Sequence, residues 1–163
     1  PYFNNQTFMM ASDQRRRRLV MRKVDVVSGS ASDVSLTGLS RYFDSNRSKH
    51  RATTQPPESG YALESVLGYL YNEAGTGRVE LMECYDPTKP GYRLMVTACA
   101  GGTYLVRRVG WINVASGNGV QNVPRKPLQE CTIPGWNDFF YNNSVNCGGW
   151  PMGAVLGYVE AHP

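Results

Sequence analysis

One short word recurs three times in this chain and limits what it can fold into: Val66-Leu67-Gly68-Tyr69-Leu70, Arg108-Val109-Gly110-Trp111-Ile112 and Val155-Leu156-Gly157-Tyr158-Val159. The glycines are 42 and then 47 residues apart. Self-similarity at this period is the mark of a repeat architecture, in which each unit buries its apolar face against its neighbours. The register extends upstream. Alternating runs open the units at Leu39-Ser40-Arg41-Tyr42-Phe43-Asp44, Leu81-Met82-Glu83-Cys84-Tyr85-Asp86 and Leu128-Gln129-Glu130-Cys131-Thr132-Ile133, and these keep the glycine offsets. Each run is followed by a polar turn and a second short strand: His50 to Thr54, Tyr92 to Thr97 and Phe139 to Tyr141.

Period-two alternation broken by glycine and proline predicts an all-β domain. The expected organisation is an N-terminal extension over residues 1–35 and a repeat domain over 36–161, with units of about 36–77, 78–124 and 125–161. Three such units closing around a pseudo-threefold axis suggest a β-trefoil-like fold, with a three-sheet prism or short blades as alternatives. The extra length of the second unit falls near Asn118 to Lys126. No run approaches the roughly 18 apolar residues of a membrane helix.

Net charge is +4, but without Arg15, Arg16, Arg17 and Arg18 the chain carries 13 basic and 13 acidic residues. A neutral repeat body argues against nucleic acid as partner, because capture of phosphates needs basic residues spread over a face. The arginine run fits a furin-like processing site, an anionic contact or a solvated loop. Leu19 to Val27 beyond it reads as one strand and Ser28 to Ser32 as a linker. Such a strand offers an edge for self-assembly.

Cys84 and Cys99 occupy the same places in the second unit as Cys131 and Cys147 in the third. The repeat therefore favours two disulfides, each within a unit, among the three pairings that four cysteines allow. Asn5, Asn46 and Asn142 head glycosylation sequons. Together with the cysteines they point to a secreted, extracellular glycoprotein. The chain opens at Pro1 without an initiator methionine or apolar signal segment, which suggests a processed or excised form.

Catalysis is not expected. Only two histidines are present, His50 and the penultimate His162, and no Gly-x-Ser-x-Gly word occurs. Glu80 and Glu83 are the one carboxylate pair that invites a glycosidase reading, on a strand whose neighbours look structural. No metal site or cofactor is expected, since neither close cysteine pairs nor phosphate-loop and dinucleotide fingerprints occur. Sugar binding calls for aromatic faces beside polar side chains. Tyr61, Tyr104 and Trp150 recur six or seven residues before the three glycines. Trp136 with Asn137 and Asp138 sets an aromatic among polar groups in a Pro-Gly turn, and Trp136 is the first choice for a ligand contact. The competing assignment puts the recurring aromatics in the core, above all Tyr69, Trp111 and Tyr158.

Glu64-Ser65-Val66-Leu67-Gly68-Tyr69, Gly77 to Tyr85, and Asn137-Asp138-Phe139-Phe140-Tyr141 ahead of Gly148-Gly149 together resemble an extracellular tandem-repeat family of unknown function. Its units read approximately G-T-V-P-L-Y-R-C-Y, D-H-F-x-S-T and E-G-x-L-G-Y, and it occurs beside cell-wall hydrolases and in secreted animal proteins. The likeness spans residues 36–161. Of the family's D-H-F word, the histidine is matched only by His50 and the acid only by Asp138, with Tyr92 and Phe139 at the histidine position elsewhere. The resemblance implies an accessory, adhesive or carbohydrate-binding module. Alternatives are a structural subunit of an extracellular assembly, or a trefoil-type protease inhibitor.

Overall fold

A computed structural model describes residues 8–13, 18–23 and 34–163, with side chains from Val34 onward. The chain divides between Val34 and Ser35 into two compact units. In the first, β1 (Phe8–Asp13) and β2 (Arg18–Lys23) form an antiparallel hairpin registered Phe8↔Lys23 to Asp13↔Arg18. Of the strand expected over Leu19 to Val27, Leu19 to Lys23 belong to one arm of a hairpin, and Val24 to Val27 lie outside the described residues. Asn5, Arg15 to Arg17 and the Ser28 to Ser32 linker lie outside the described residues, and Arg18 is placed only as the first residue of β2.

The second unit is all-β apart from two single-turn 3-10 segments. It holds β3 (Leu36–Asp44), β4 (Lys49–Thr53) and β5 (Tyr61–Tyr71); β6 (Arg78–Asp86), β7 (Gly91–Val96) and β8 (Tyr104–Asn113); and β9 (Lys126–Ile133), β10 (Asp138–Asn142) and β11 (Met152–Val159). Every pairing is antiparallel. β3 lies between β4 and β5, β6 between β7 and β8, and β9 between β10 and β11. The glycine-bearing strands join the three sets through Tyr71↔Trp111, Tyr158↔Asn113 and the bridge Tyr69↔Glu160.

Local chemistry fixes the hairpins. Asp44 Oδ1 accepts the N–H groups of Asn46 and Arg47, and Asp86 Oδ1 those of Thr88 and Lys89, so an aspartate closes each of the first two turns. The third turn is a 3-10 segment over Pro134–Trp136 that leaves through Asn137 at φ 49°. Within each third strand the register slips where the repeated word sits. Gly68 faces Leu39 and Val66 faces Ser40, so Leu67 is the extra residue of a bulge; Val109 and Leu156 are its counterparts.

The bulge explains why the word reads as it does. It turns Leu67 and Val109 inward beside Leu70 and Ile112, where simple alternation would send them out. With Leu39, Leu81, Leu128 and Val159 they form a single core, joined by Ala52, Leu94 and Tyr141 from the second strands. Each fully buried aliphatic side chain contributes about 1.5–3 kcal/mol of transfer free energy. Tyr69, Trp111 and Tyr158 are a correction to the core assignment: they are half-buried, on the opposite face of their strands. Tyr69 packs over Gly38, and the Arg108 guanidinium covers Trp111.

The two disulfides join Cys84 to Cys99 and Cys131 to Cys147, as the repeat predicts. The long connection after β8 is held by Glu160, a residue the sequence did not single out. Its carboxylate is 1% exposed and accepts from Tyr71 Oη, Asn113 Nδ2, Val120 N and Arg125 Nε. Burial alone raises its pKa, but these donors outweigh it and hold Glu160 below its ordinary value of 4.5. A depressed carboxylate stabilises the fold above its unfolded-state pKa and loses that contribution as pH falls through the folded one. Protection factors at Val120 and neighbouring amides, taken relative to the intrinsic exchange rate at each pH, are therefore expected to fall on acidification below the ordinary glutamate range. Glu160→Gln, which removes the titration, flattens that response.

Candidate ligand site at the hairpin turns

The turns of the three hairpins are neighbours. Lys49, at the start of β4, donates from Nζ to the carbonyls of Trp136 at 3.1 Å and Asn137 at 2.8 Å. Its stem passes Gly91 at the start of β7, and Lys89 stands 5.4 Å from the ring centre of Phe139 on β10.

Between the first and second hairpins lies a cleft of about 290 Å³, walled by Tyr61, Tyr85 and Tyr92 with Arg47, Lys49 and Glu58 at its polar side. The Tyr85 and Tyr92 rings meet edge to face at 5.6 Å. Beneath them Arg51, 3% exposed, lies 3.8 Å over the Tyr92 ring, donates from Nε to Glu83 at 2.5 Å and pairs with Glu58. Glu83 also takes Arg107 at 3.0 Å and the Thr53 hydroxyl. Burial pulls the Arg51 pKa down, but the Glu83 pair outweighs it and the net shift is upward, so Arg51 is a fixed cation. Burial, and then Glu58, pushes the Tyr61 hydroxyl up to about 12. Burial raises Tyr92 as well, against the pull of Arg51. The Tyr61 and Tyr92 hydroxyls thus remain protonated at neutral pH and can donate.

The junction of the third hairpin with the first is closed. Trp136 stacks on Phe43 at 6.3 Å between ring centres and 21° between planes. Asp138 Oδ2 lies 2.5 Å from His50 Nδ1, and both carboxylate oxygens accept the His50 N–H at 3.2 Å. On its other side His50 Nε2 faces Glu64 at 3.5 Å, which Arg41 grips at 2.8 Å. A histidine acting as base toward a nucleophile needs a hydroxyl or thiol at that nitrogen; here a carboxylate stands there. At the second-to-third junction Arg93 makes a two-pronged pair with Glu130 at 2.9 and 2.8 Å and lies over Phe139. Tyr141 bridges Glu130 to the Leu94 N–H. Among the described residues, no group of three His, Cys, Asp or Glu side chains is placed to hold a metal ion.

Of the residues singled out from sequence, Tyr61 lines the cleft; Trp136 is half exposed and does not line it, its ring lying on Phe43. Asn137 is a turn residue whose carbonyl is taken by Lys49, and Asp138 is 3% exposed with its oxygens engaged by His50. Tyr104 and Trp150 are 65% and 48% exposed and do not line the cleft. Of the carboxylates considered for glycoside hydrolysis, Glu83 is sealed under Arg51 and Arg107, and Glu80 pairs with Arg108. Asn46 lies exposed in the first turn, while Asn142 donates its amide to Asn146 O. Sequence reasoning passed over Tyr85, Arg47 and Glu58. The available signal was Tyr85 at the end of an opening strand, across from Tyr104 in the register. No protein-family model, curated protein or solved structure matches this chain.

Proposed function

We propose that this chain is a secreted, non-catalytic carbohydrate-binding module, built from three units that close around a pseudo-threefold axis in the manner of a β-trefoil. The observation that carries the reading is the tyrosine-walled cleft, where three aromatic rings stand beside Arg47, Lys49 and Glu58. A sugar ring lays its C–H face on an aromatic side chain while a few directional polar groups fix its hydroxyls. Protonated Tyr61 and Tyr92, two cations and a carboxylate supply donors and acceptors of that kind. Trp136 is half exposed, and its carbonyl oxygen accepts from Lys49, which lines the cleft.

The threefold closure is supported by one contact repeated in cyclic order. Gly68 packs on Val159 and Glu160, Gly110 on Leu70 and Tyr71, and Gly157 on Ile112 and Asn113. Two disulfides within 129 residues favour an oxidising compartment, and with the repeated unit they fit the extracellular tandem-repeat family that the sequence resembles.

The test is a glycan array at low and moderate salt, followed by titration of retained glycans. Tyr85→Ala is expected to weaken binding at least tenfold, about 1.4 kcal/mol, and Trp136→Ala to a smaller extent. An array that retains nothing, or two variants that bind every retained glycan as the parent does, would sink the reading. Concentration-dependent self-association in the same preparation would then favour an assembly subunit.

A further inference from the structure

We propose that the cleft between the first two hairpins selects an acidic sugar, a pyranose bearing a carboxylate, with Arg47 and Lys49 receiving that carboxylate and Tyr85 the ring face. The inference rests on the carbohydrate reading above and deepens it.

Counted from Leu39 and Leu128, Arg47 stands in its unit where Trp136 stands in the third, and Lys49 stands where Asp138 does. Across the junctions, Tyr85 and Tyr92 take the places of Phe43 and His50. In the third-to-first junction the protein supplies its own occupant: the Trp136 ring covers Phe43, and the Asp138 carboxylate closes on His50. In the first-to-second junction neither element is present. Arg47 and Lys49 replace the ring and the carboxylate, Arg51 covers one face of Tyr92, and Tyr85 and Tyr92 line an open cleft. A ligand that brings one flat ring face and one carboxylate fills the open junction as Trp136 and Asp138 fill the closed one.

The charges agree. The carboxylates around the cleft are already engaged: Asp44 accepts two turn amides and faces Arg47 at 3.4 Å, Glu58 pairs with Arg51, and Glu83 takes Arg51 and Arg107. Asp86, beside Tyr85, is held below its ordinary range by the Thr88 side chain and by backbone amides, with Lys89 adding to the effect. Lys49 meets only the carbonyl oxygens of Trp136 and Asn137, so among the described residues its charge has no carboxylate partner and one of its three protons is unspent. Arg47 is 60% exposed and approaches Asp44 at 3.4 Å and Glu58 at 3.8 Å through Nη1, and its fork can turn two N–H groups toward a carboxylate in the cleft.

The experiment uses the full chain and an array carrying sialylated and uronate-bearing oligosaccharides, each printed beside its methyl ester, with neutral and sulfated oligomers of equal length. The free acids are expected to bind at least tenfold more tightly than their esters, and that preference should shrink as salt rises. Arg47→Ala should abolish the preference, and Arg47→Lys should restore part of it. Because Arg47 is exposed, its variants are expected to melt within a few degrees of the parent, which separates lost binding from lost fold. If acids and esters bind alike, if retained glycans are neutral, or if sulfated oligomers bind in preference, the acidic-sugar inference falls while the carbohydrate reading stands. If no glycan of any class is retained, both fall.

Discussion

Gly68→Ala is expected to be among the most damaging single substitutions in the repeat domain, lowering stability by roughly 4 kcal/mol, which combines overpacking with a left-handed backbone. A β-carbon at Gly68 would sit 2.8 Å from the carbonyl oxygen of Glu160 and press into the Val159 side chain, and the backbone is at φ +152°. Neither obstacle can step aside. Val159 is fully buried, and the Glu160 backbone exchanges hydrogen bonds with Tyr69 at 2.9 and 3.0 Å, so the strands meet where the methyl would go. For a domain near this size the melting temperature should fall on the order of 10 °C. Gly77→Ala is the control: φ is +72° but nothing lies within 4 Å of its β-carbon, so only the conformational cost, about 1–2 kcal/mol, applies. If the two variants melt together, close approach of the strands is not what the repeated glycine serves. Gly110 and Gly157 extend the test, because their β-carbons would lie 3.0 Å from Tyr71 O and 2.7 Å from Asn113 O.

That glycine was legible as a repeat because it is a local word, copied three times. Its reason was not, since the atoms it avoids belong to another unit. The same divide runs through the rest of the chain. The opening strands, their turns and both disulfides follow from residues close in sequence or in matched places. Leu67 turns inward only because the register slips beside Gly68, which alternation does not foresee, and Tyr69 accordingly lies half-buried on the opposite face. Asp138 beside Trp136 reads as a ligand contact; His50, 88 residues away, takes its oxygens instead. The cleft itself arises where Tyr61 and Tyr92, from different hairpins, share a wall. Repetition located Tyr61, Tyr104 and Trp150 together, but repetition fixes position in a unit and says nothing about which junction stays open. The residues that differ between units carry that information, and Arg47 against Trp136 is the pair that separates an open junction from a closed one.

A charged pair that recurs between units sets the second large effect: Arg51 and Glu83 at the first-to-second junction match Arg93 and Glu130 at the second-to-third. Glu83→Ala is expected to cost about 3–5 kcal/mol, the range for removing one partner of a buried ion pair. Glu83 is 0% exposed, with Arg51 at 2.5 Å on one oxygen and Arg107 at 3.0 Å on the other. Arg51 is 3% exposed, and a guanidinium does not give up its proton inside a protein, so the charge persists when Glu83 is removed. Its remaining partner, Glu58, is 44% exposed and half in water. The variant therefore leaves a buried cation short of its principal counter-charge, beneath the Tyr92 ring that walls the cleft. Urea unfolding should show a lower midpoint at unchanged slope. Glu64→Ala is the contrast: Glu64 is 32% exposed and pairs with Arg41, which is 21% exposed, so water screens the pair and the loss should stay under about 1 kcal/mol. Adding Arg51→Met to Glu83→Ala removes the stranded charge and should recover part of the loss, since apolar replacement of a buried pair is often close to neutral. If the double variant is no more stable than Glu83→Ala alone, the cost lies in lost packing around Glu83 and not in the uncompensated Arg51 charge.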